Sequence, residues 1–547
     1  MKLNNSKLYL FALALGSILW ACNEDPDDPS NPSGPSTQPQ TEVAIDNLLN
    51  GSITTTLNPS GVAPLTAELT FSTQGNTEVE ITVLGKFPVS NKFDMISSSH
   101  AIPILGLYAD TMNSVVLKIS NKLAYAYDTI KIQTDSLPAA LPTVEIVTAT
   151  PSMMEEGMNL NCLSVTNGTR FEGMPMIYDH MGDIRWFLDL RGKYPNAGFI
   201  SPWEPIDNGR LLTEVGDQVI EFDMLGYEAK VIPLPAGYES HHDVIKLPNG
   251  NYAVAVNKAS STMPWTDTSG TQNRQTVEDI LIEISPSGTI LQEWDLKNLL
   301  DVDREVIQGS LLSYGAVDWF HMNAVEYSES DDTYILSGRH QGVVKVDRQG
   351  KLVWIIAPKK FWGNAGIDGN GYSTDSLLLT AVDGNGTPYS NDIQNGDAND
   401  PNFDWPWGQH APVVLPNGNI AIFDNGCNRT FTRPTPMSMP NYSRYVEYKV
   451  NESNMTIQQV NEYGSARGTE TFSWIISDVD YLPNTGNVLF LPGVSDGFST
   501  SRMVELTRPG MMPVFEGKLT FKTILNPPLA FGQLDINYRA ERVKLYR

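Results

Sequence analysis

From residue 41 to about residue 142 the chain alternates apolar and polar positions in short runs: Leu65–Phe71, Val79–Leu84, Val115–Ile119 and Thr129–Ile132. Pro and Gly punctuate the runs, which predicts a small β-sandwich. Beyond about residue 150 the pattern repeats. One turn recurs as Asp179-His180-Met181-Gly182, Asp223-Met224-Leu225-Gly226, Ser285-Pro286-Ser287-Gly288, Asp347-Arg348-Gln349-Gly350 and Thr507-Arg508-Pro509-Gly510, with a weaker copy lacking the glycine at 451–454. Several copies follow an apolar strand and precede a tryptophan, as at Trp186, Trp294 and Trp354. A second hairpin recurs upstream at 206–209, 247–250, 327–333, 415–419 and 482–487. Two hairpins per unit give four-stranded sheets, and six such units predict a six-bladed β-propeller in an all-β chain. Strands at 533–538 and 542–546 are expected to complete the blade begun by 160–186 and so remove the exposed edges of the ring.

The inner hairpins place the candidate chemistry. His242 stands six residues before Pro248, His410 six before Pro416 and Ser477 six before Pro483. His321, in Trp319-Phe320-His321-Met322-Asn323, takes the matching strand start of a fourth blade with a longer turn. Inner strand ends of a propeller converge on its axis, so these four side chains are predicted to meet at one mouth. His241 should face the other way, because strand neighbours alternate; it stays the alternative to His242. His100 and His180 read as loop residues, and His340 as the far end of a strand. Arg339, in Ser337-Gly338-Arg339, is separated from Arg444 and Arg502, which recur before outer strands and read as solvated.

At 547 residues, 41% hydrophobic and 18% charged, the chain has a normal globular composition and needs more than one core. Lys2, Lys7, the apolar run Leu8–Leu19 and Leu19-Trp20-Ala21-Cys22 have the pattern of a bacterial lipoprotein signal over residues 1–21. Cys22 is then the lipidated residue, and the chain is expected to be lipid-anchored in the cell envelope of a diderm bacterium, at the outer membrane, facing periplasm or exterior. Residues 22–40 are too polar and Pro-rich to bury a core and read as a tether. The sandwich is assigned to 41–145 and the propeller to 146–547. A net charge of −26, made more acidic by removing the signal, argues against a nucleic-acid partner. Cys162 and Cys427 are either a disulfide or two buried thiols. The insertion 361–404 reads as a surface lid or loop. Its Asp368-Gly369-Asn370-Gly371-Tyr372 lacks the spacing and terminal glutamate of a calcium loop, and no metal or cofactor is expected.

Ser240-His241-His242-Asp243, Asp318-Trp319-Phe320-His321-Met322-Asn323, Ser337-Gly338-Arg339, and Gly408-Gln409-His410-Ala411-Pro412 through Asp424-Asn425-Gly426 resemble the motifs of the bacterial aryl-sulfate sulfotransferase family. The resemblance covers most of the chain. It implies a secreted six-bladed propeller, often dimeric, that moves a sulfuryl group between phenols without a nucleotide donor. By motif, His410 resembles the histidine that is transiently sulfated, while His242, His321, Asn323 and Arg339 resemble the binding and acid–base residues around it. Ser477 matches a substrate-binding hydroxyl by repeat register alone. The family's short-range disulfide near the site has no counterpart, since Cys427 has no cysteine nearby.

The residue types suit the chemistry. A neutral imidazole can attack sulfur, Arg339 and Asn323 can donate to the sulfuryl oxygens, and His242 or His321 can hand over a proton. At least one of Trp319, Phe320, Trp405 and Trp407 is expected to line the aryl slot. Water in place of phenol would make the same site an aryl-sulfate hydrolase. A non-catalytic surface propeller that binds glycan or protein is the remaining alternative, and it has no need of three histidines in register.

Overall fold

The computed structural model describes residues 40–195, 200–267, 270–304, 312–313, 315–427, 429, 442–522 and 532–546. The signal segment, Cys22 and the tether up to residue 39 lie outside the described residues.

Residues 41–133 form one six-stranded sheet. Its spine is Ala67–Val83, whose buried positions mostly alternate with part-exposed ones. The first half pairs with Thr54–Leu57 and the second with Met112–Ser120, while Val89–Ile104 follows it along both. Register shifts between Ser72 and Val79 divide the strand into two halves, and Leu69, Val79, Ile81, Leu117 and Ile119 share one core. The expected runs 65–71 and 79–84 are thus one strand, and Val89–Ile104 was missed because its outward face is polar. His100 lies in that strand and not in a loop. It is 3% exposed, stacks on Phe71 at 4.9 Å and bonds Thr77 at 2.9 Å.

Six sheets of four or five strands follow among the described residues. All six outer turns join third to fourth strands, and all five inner turns join innermost to second strands. The innermost strands are Glu204–Ile206, Tyr238–Lys246, Met322–Ser328, His410–Val414 and Asp478–Tyr481 in blades 2 to 6, and Ile536–Val543 in blade 1, whose other strands begin at Met158. Successive blades touch around the axis, and Ile536–Val543 meets both its neighbours, which closes a six-bladed propeller. That last strand pairs with Met158–Thr166 as one continuous element, where two short strands were expected. Thr143–Ala149 adds a fifth, outer strand to blade 6.

Two repeated contacts hold the ring. The fourth-strand tryptophans reach the next blade's outer turn: Trp186 Nε1 donates to Met224 O (2.7 Å), Trp294 Nε1 to Asp347 O (3.0 Å) and Trp354 Nε1 to a Glu452 carboxylate oxygen (2.9 Å). Within blades, Asn251, Asn419 and Asn487 at the inner turns donate to buried third-strand glutamates Glu283, Glu447 and Glu505, so polar turn and polar core satisfy each other. Arg444 and Arg502 are not solvated; they are 3% and 6% exposed and paired with Asp424 and Glu516 at 2.8 and 2.6 Å. Nor is 361–404 a free lid. Thr380–Ala381 pairs with Thr456 and Ile457 at the rim of blade 5, and Leu379, Ile393 and Phe403 join that blade's core.

Candidate active site

The inner strands lose regular pairing where they reach the axial mouth. Register shifts fall between Ser240 and Val244, Met322 and Ala324, His410 and Val413, and Asn537 and Ala540. His242 (φ 63°), His321 (59°), Ala411 (46°) and Ser477 (97°) take left-handed backbone there, at a cost of about 1–2 kcal/mol for a residue with a side chain. Neighbouring side chains then cease to alternate. His241 and His242 consequently face each other, Nδ1 to Nδ1 at 3.1 Å, and the expectation that only one of them faces this side fails.

A row of imidazoles runs from His241 through His242 and His321 to His340, with ring centres 5.3, 5.2 and 5.1 Å apart. Two carboxylates that sequence reasoning passed over hold it. His321 Nδ1 lies 2.7 Å from Asp318 Oδ2 and 2.8 Å from Glu278 Oε2. Burial disfavours the imidazolium, but the two carboxylates outweigh it and lift His321 to about 10. His242 is dominated by burial, with Glu278 Oε1 farther off at 3.8 Å, and falls to about 3. Glu278, raised by burial but lowered more by His321 and His242, drops to about 2. At neutral pH one ring is therefore charged and its neighbour neutral. His340 joins the row through Asp318, Nε2 to Oδ2 at 3.6 Å. Asp318 was visible three residues before His321; Glu278, at the head of blade 3's third strand, carried no sequence signal.

His410 starts its strand and is 2% exposed. Its Nδ1 lies 2.8 Å from Asn425 Oδ1. Asn425 Nδ2 donates to Ser473 O (2.9 Å) and Ile476 O (3.0 Å), which orients the amide so that Oδ1 must accept. Nδ1 of His410 thus carries the proton and Nε2 keeps the lone pair. Burial, then the Arg339 and Arg539 charges, hold this ring well below the usual imidazole range. Asp424 ties the hairpin ends by accepting from Trp407 N (2.9 Å) and Arg444 Nε (2.8 Å).

Asn323 Nδ2 donates to Gln409 O at 2.8 Å, one residue before His410. Arg339 Nη2 donates to Trp474 O at 3.2 Å, while its buried Nε has no partner among the described residues. Gly338, just before Arg339, makes room for the Phe320 ring, which a Cβ there would meet at 2.4 Å. Arg539, unforeseen from sequence, spans the axis from blade 1, donating to Ser477 O (2.7 Å) and Asn323 O (3.0 Å). Ser477 itself is fully buried; its hydroxyl donates to Ser473 Oγ (2.8 Å) and accepts from Gly493 N (3.0 Å), so the protein already engages it. Trp319, Phe320, Trp405 and Trp407 are each at most 2% exposed, in the cores of blades, so the aryl-slot expectation fails. The aromatics beside the centre are half-buried Trp474, 5.9 Å from the Arg339 guanidinium, and Tyr538, 6.1 Å from His242.

This geometry, with a tautomer-fixed neutral imidazole beside an arginine and an imidazolium, suits transfer of an anionic group. The arylsulfotransferase (ASST) profile matches residues 143–524, and the arylsulfotransferase Ig-like domain profile matches residues 54–135. The chain belongs to the arylsulfotransferase family. It is 28% identical to the arylsulfate sulfotransferase AssT of Escherichia coli O6:H1, with 78% of this chain and 82% of that relative aligned. It is 27% identical to AssT of Lelliottia amnigena, with 80% and 84% aligned.

As an arylsulfotransferase, the chain is an enzyme. Its Cys162 and Cys427 are two buried thiols, and Cys427 Sγ donates to Trp474 O at 3.2 Å. Two groups of side chains have ligating atoms within 4.8 Å of one another among the described residues: His241, His242 and Glu278, and Asp318, His321 and His340. In the second, His321 Nδ1 is already shared between two carboxylates, which makes it a poor metal ligand.

Proposed function

We propose that this arylsulfotransferase moves a sulfuryl group from an aryl sulfate to a phenol by two displacements on His410. Its Nε2 attacks sulfur, the N–S bond forms and the S–O(aryl) bond breaks. The departing phenoxide takes its proton from the His321 imidazolium, whose value of about 10 matches a phenol's. An acceptor phenol, its hydroxyl received by neutral His242, then attacks sulfur, gives its proton to the His321 ring that the first step left neutral, and the N–S bond breaks. Glu278 bridges the two rings and holds His321 in place for both steps. Arg339 donates to the sulfuryl oxygens as their charge spreads, the aryl ring rests near Trp474, and Asn323 holds Gln409 so that His410 stays aimed.

The observation that carries this reading is the Asn425-fixed tautomer, which leaves the His410 lone pair on Nε2. Incubation with an aryl sulfate in the absence of phenol should add the mass of one SO3 group to the intact chain, and phenol should discharge it. His410→Ala should abolish both. An activated aryl sulfate should restore labelling to His321→Ala, because a good leaving group needs no proton, and should do nothing for His410→Ala. Sulfate release at an equal rate without phenol would instead make the enzyme a hydrolase.

A further inference from the structure

We propose that His241, His242 and Glu278 form a binding site for a divalent transition metal of the zinc class, and that the bound ion switches transfer off. The site exists only because of local backbone geometry. Neighbours on a regular strand cannot aim at one point, but the bulge after Ser240 and the left-handed His242 turn both Nδ1 atoms toward each other at 3.1 Å. Glu278 approaches from the bend just ahead of the third strand, Ile280–Ile284, of the same blade. It too is left-handed (φ 58°) and is fixed at both ends, its N–H donating to Asn257 Oδ1 (2.8 Å) and its carbonyl accepting from Met322 N (2.7 Å). Its Oε1 lies 3.8 Å from His242 Nδ1.

A tetrahedral ion with bonds of about 2.0–2.1 Å separates its ligand atoms by about 3.3–3.4 Å. The two observed separations, 3.1 and 3.8 Å, straddle that value, so shifts of a few tenths of an ångström complete the site. Two imidazoles and one carboxylate are a donor set that zinc-class ions take with a position left open. His242 and Glu278 side chains are 19% and 18% exposed, which leaves that position toward solvent, while His241 is buried at 8% and anchors the ion from below. Asp318, just across His321, adds a second anionic charge beside the incoming cation.

The consequence for transfer rests on the reading that His242 receives the acceptor's hydroxyl. An ion on Nδ1 occupies the His242 ring that receives the hydroxyl, and it draws Glu278 from its place between His242 and His321. No metal was expected from the sequence, where only the 368–372 stretch was weighed as a metal loop.

The test uses the chelator-treated full chain and two metals, Co2+ for its visible spectrum and Zn2+ for calorimetry. One ion per chain at micromolar concentration is expected, with absorption bands of Co2+ held by nitrogen and oxygen. His241→Ala and Glu278→Gln should each weaken binding by at least about tenfold, whereas His340→Ala, which disrupts only the neighbouring group, should leave it within about twofold. Zn2+ should lower wild-type turnover in step with occupancy, and the turnover of His241→Ala, whatever its level, should ignore the same Zn2+. No binding at millimolar metal, or binding lost in His340→Ala but kept in His241→Ala, overturns the site. Turnover unchanged or raised by bound Zn2+ overturns the switch. If the chain transfers no sulfuryl group at all, the spectra and calorimetry still decide the site.

Discussion

Imidazoles of identical chemistry hold different protonation states in one pocket because Asp318 and Glu278 both address a single nitrogen of His321. The sign of the resulting pH dependence follows. His321 is raised from 6.5 to about 10, so the stability it lends is complete below about pH 6.5 and lost as pH rises through 10; its role as acid is lost over the same upper range. Asp318→Asn removes one carboxylate, and the alkaline limb of kcat/KM should move down from near pH 10 toward 6.5. A limb that stays in place would show that another group sets it. At His410 the equivalent partner is Asn425. Asn425→Ala frees the ring to adopt the other tautomer and should lower the rate of SO3 labelling by roughly 10- to 100-fold, the size typical of removing a partner that orients a functional histidine. Unchanged labelling would mean that the tautomer is fixed elsewhere. The histidines were legible because they share a register before a turn. Asn425 stood in a quoted motif without a role, and Glu278 carried no signal, since a residue that orients another across a blade or hairpin leaves no spacing in its own strand.

Between elements, the fourth-strand tryptophans carry the ring from blade to blade. Trp294 is 1% exposed and its Nε1 reaches Asp347 O. Trp294→Phe keeps most of the packing but removes the bond to the next blade, leaving Asp347 O with only its turn bond from Gly350 N (3.1 Å), and about 1 kcal/mol should be lost. Denaturant unfolding should show a lower midpoint at unchanged slope; an unshifted midpoint would show that the contact is incidental. The turns before these strands announced the repeat, so blade number and hairpin order were readable directly. Two things were not. Bulges at Ser240–Val244 and Met322–Ala324 defeat any reading that assumes a period of two, which is why His241 was placed on the wrong side. The insertion 361–404, polar enough to read as a lid, supplies a two-residue strand and three large apolar side chains to blade 5, too little pattern to recognise without its partner strand.

At the scale of the whole ring, carboxylates close the inner edge at three of the six blade junctions. Asp243 Oδ2 of blade 3 accepts from Val325 N of blade 4 (2.8 Å), Glu326 Oε1 of blade 4 from Val414 N of blade 5 (2.9 Å), and Asp478 Oδ2 of blade 6 from Ala540 N of blade 1 (3.1 Å). Each axial acid thus satisfies an N–H on the next strand's open edge, a donor that would otherwise be left unpaired at the axis. Crowding these acids into the axis has an electrostatic consequence. Burial, reinforced by neighbouring carboxylates, pushes Glu326 up to about 8 and Asp478 to about 7, against the pull of their N–H donors and of Arg539 on Asp478. An acid raised on folding binds more protons in the native than in the unfolded state, so stability falls as pH rises from the unfolded value, about 4.5 for glutamate, to the folded one, and is level above it. Glu326→Gln isolates this effect, because the amide oxygen can still accept from Val414 N while nothing remains to titrate. At pH 5 the variant and the wild type should melt together; at pH 9 the variant should melt higher, since it carries no buried charge. Thermal midpoints across that range decide the matter, and a variant equally or less stable at pH 9 would show that Glu326 ionises without penalty at the axis.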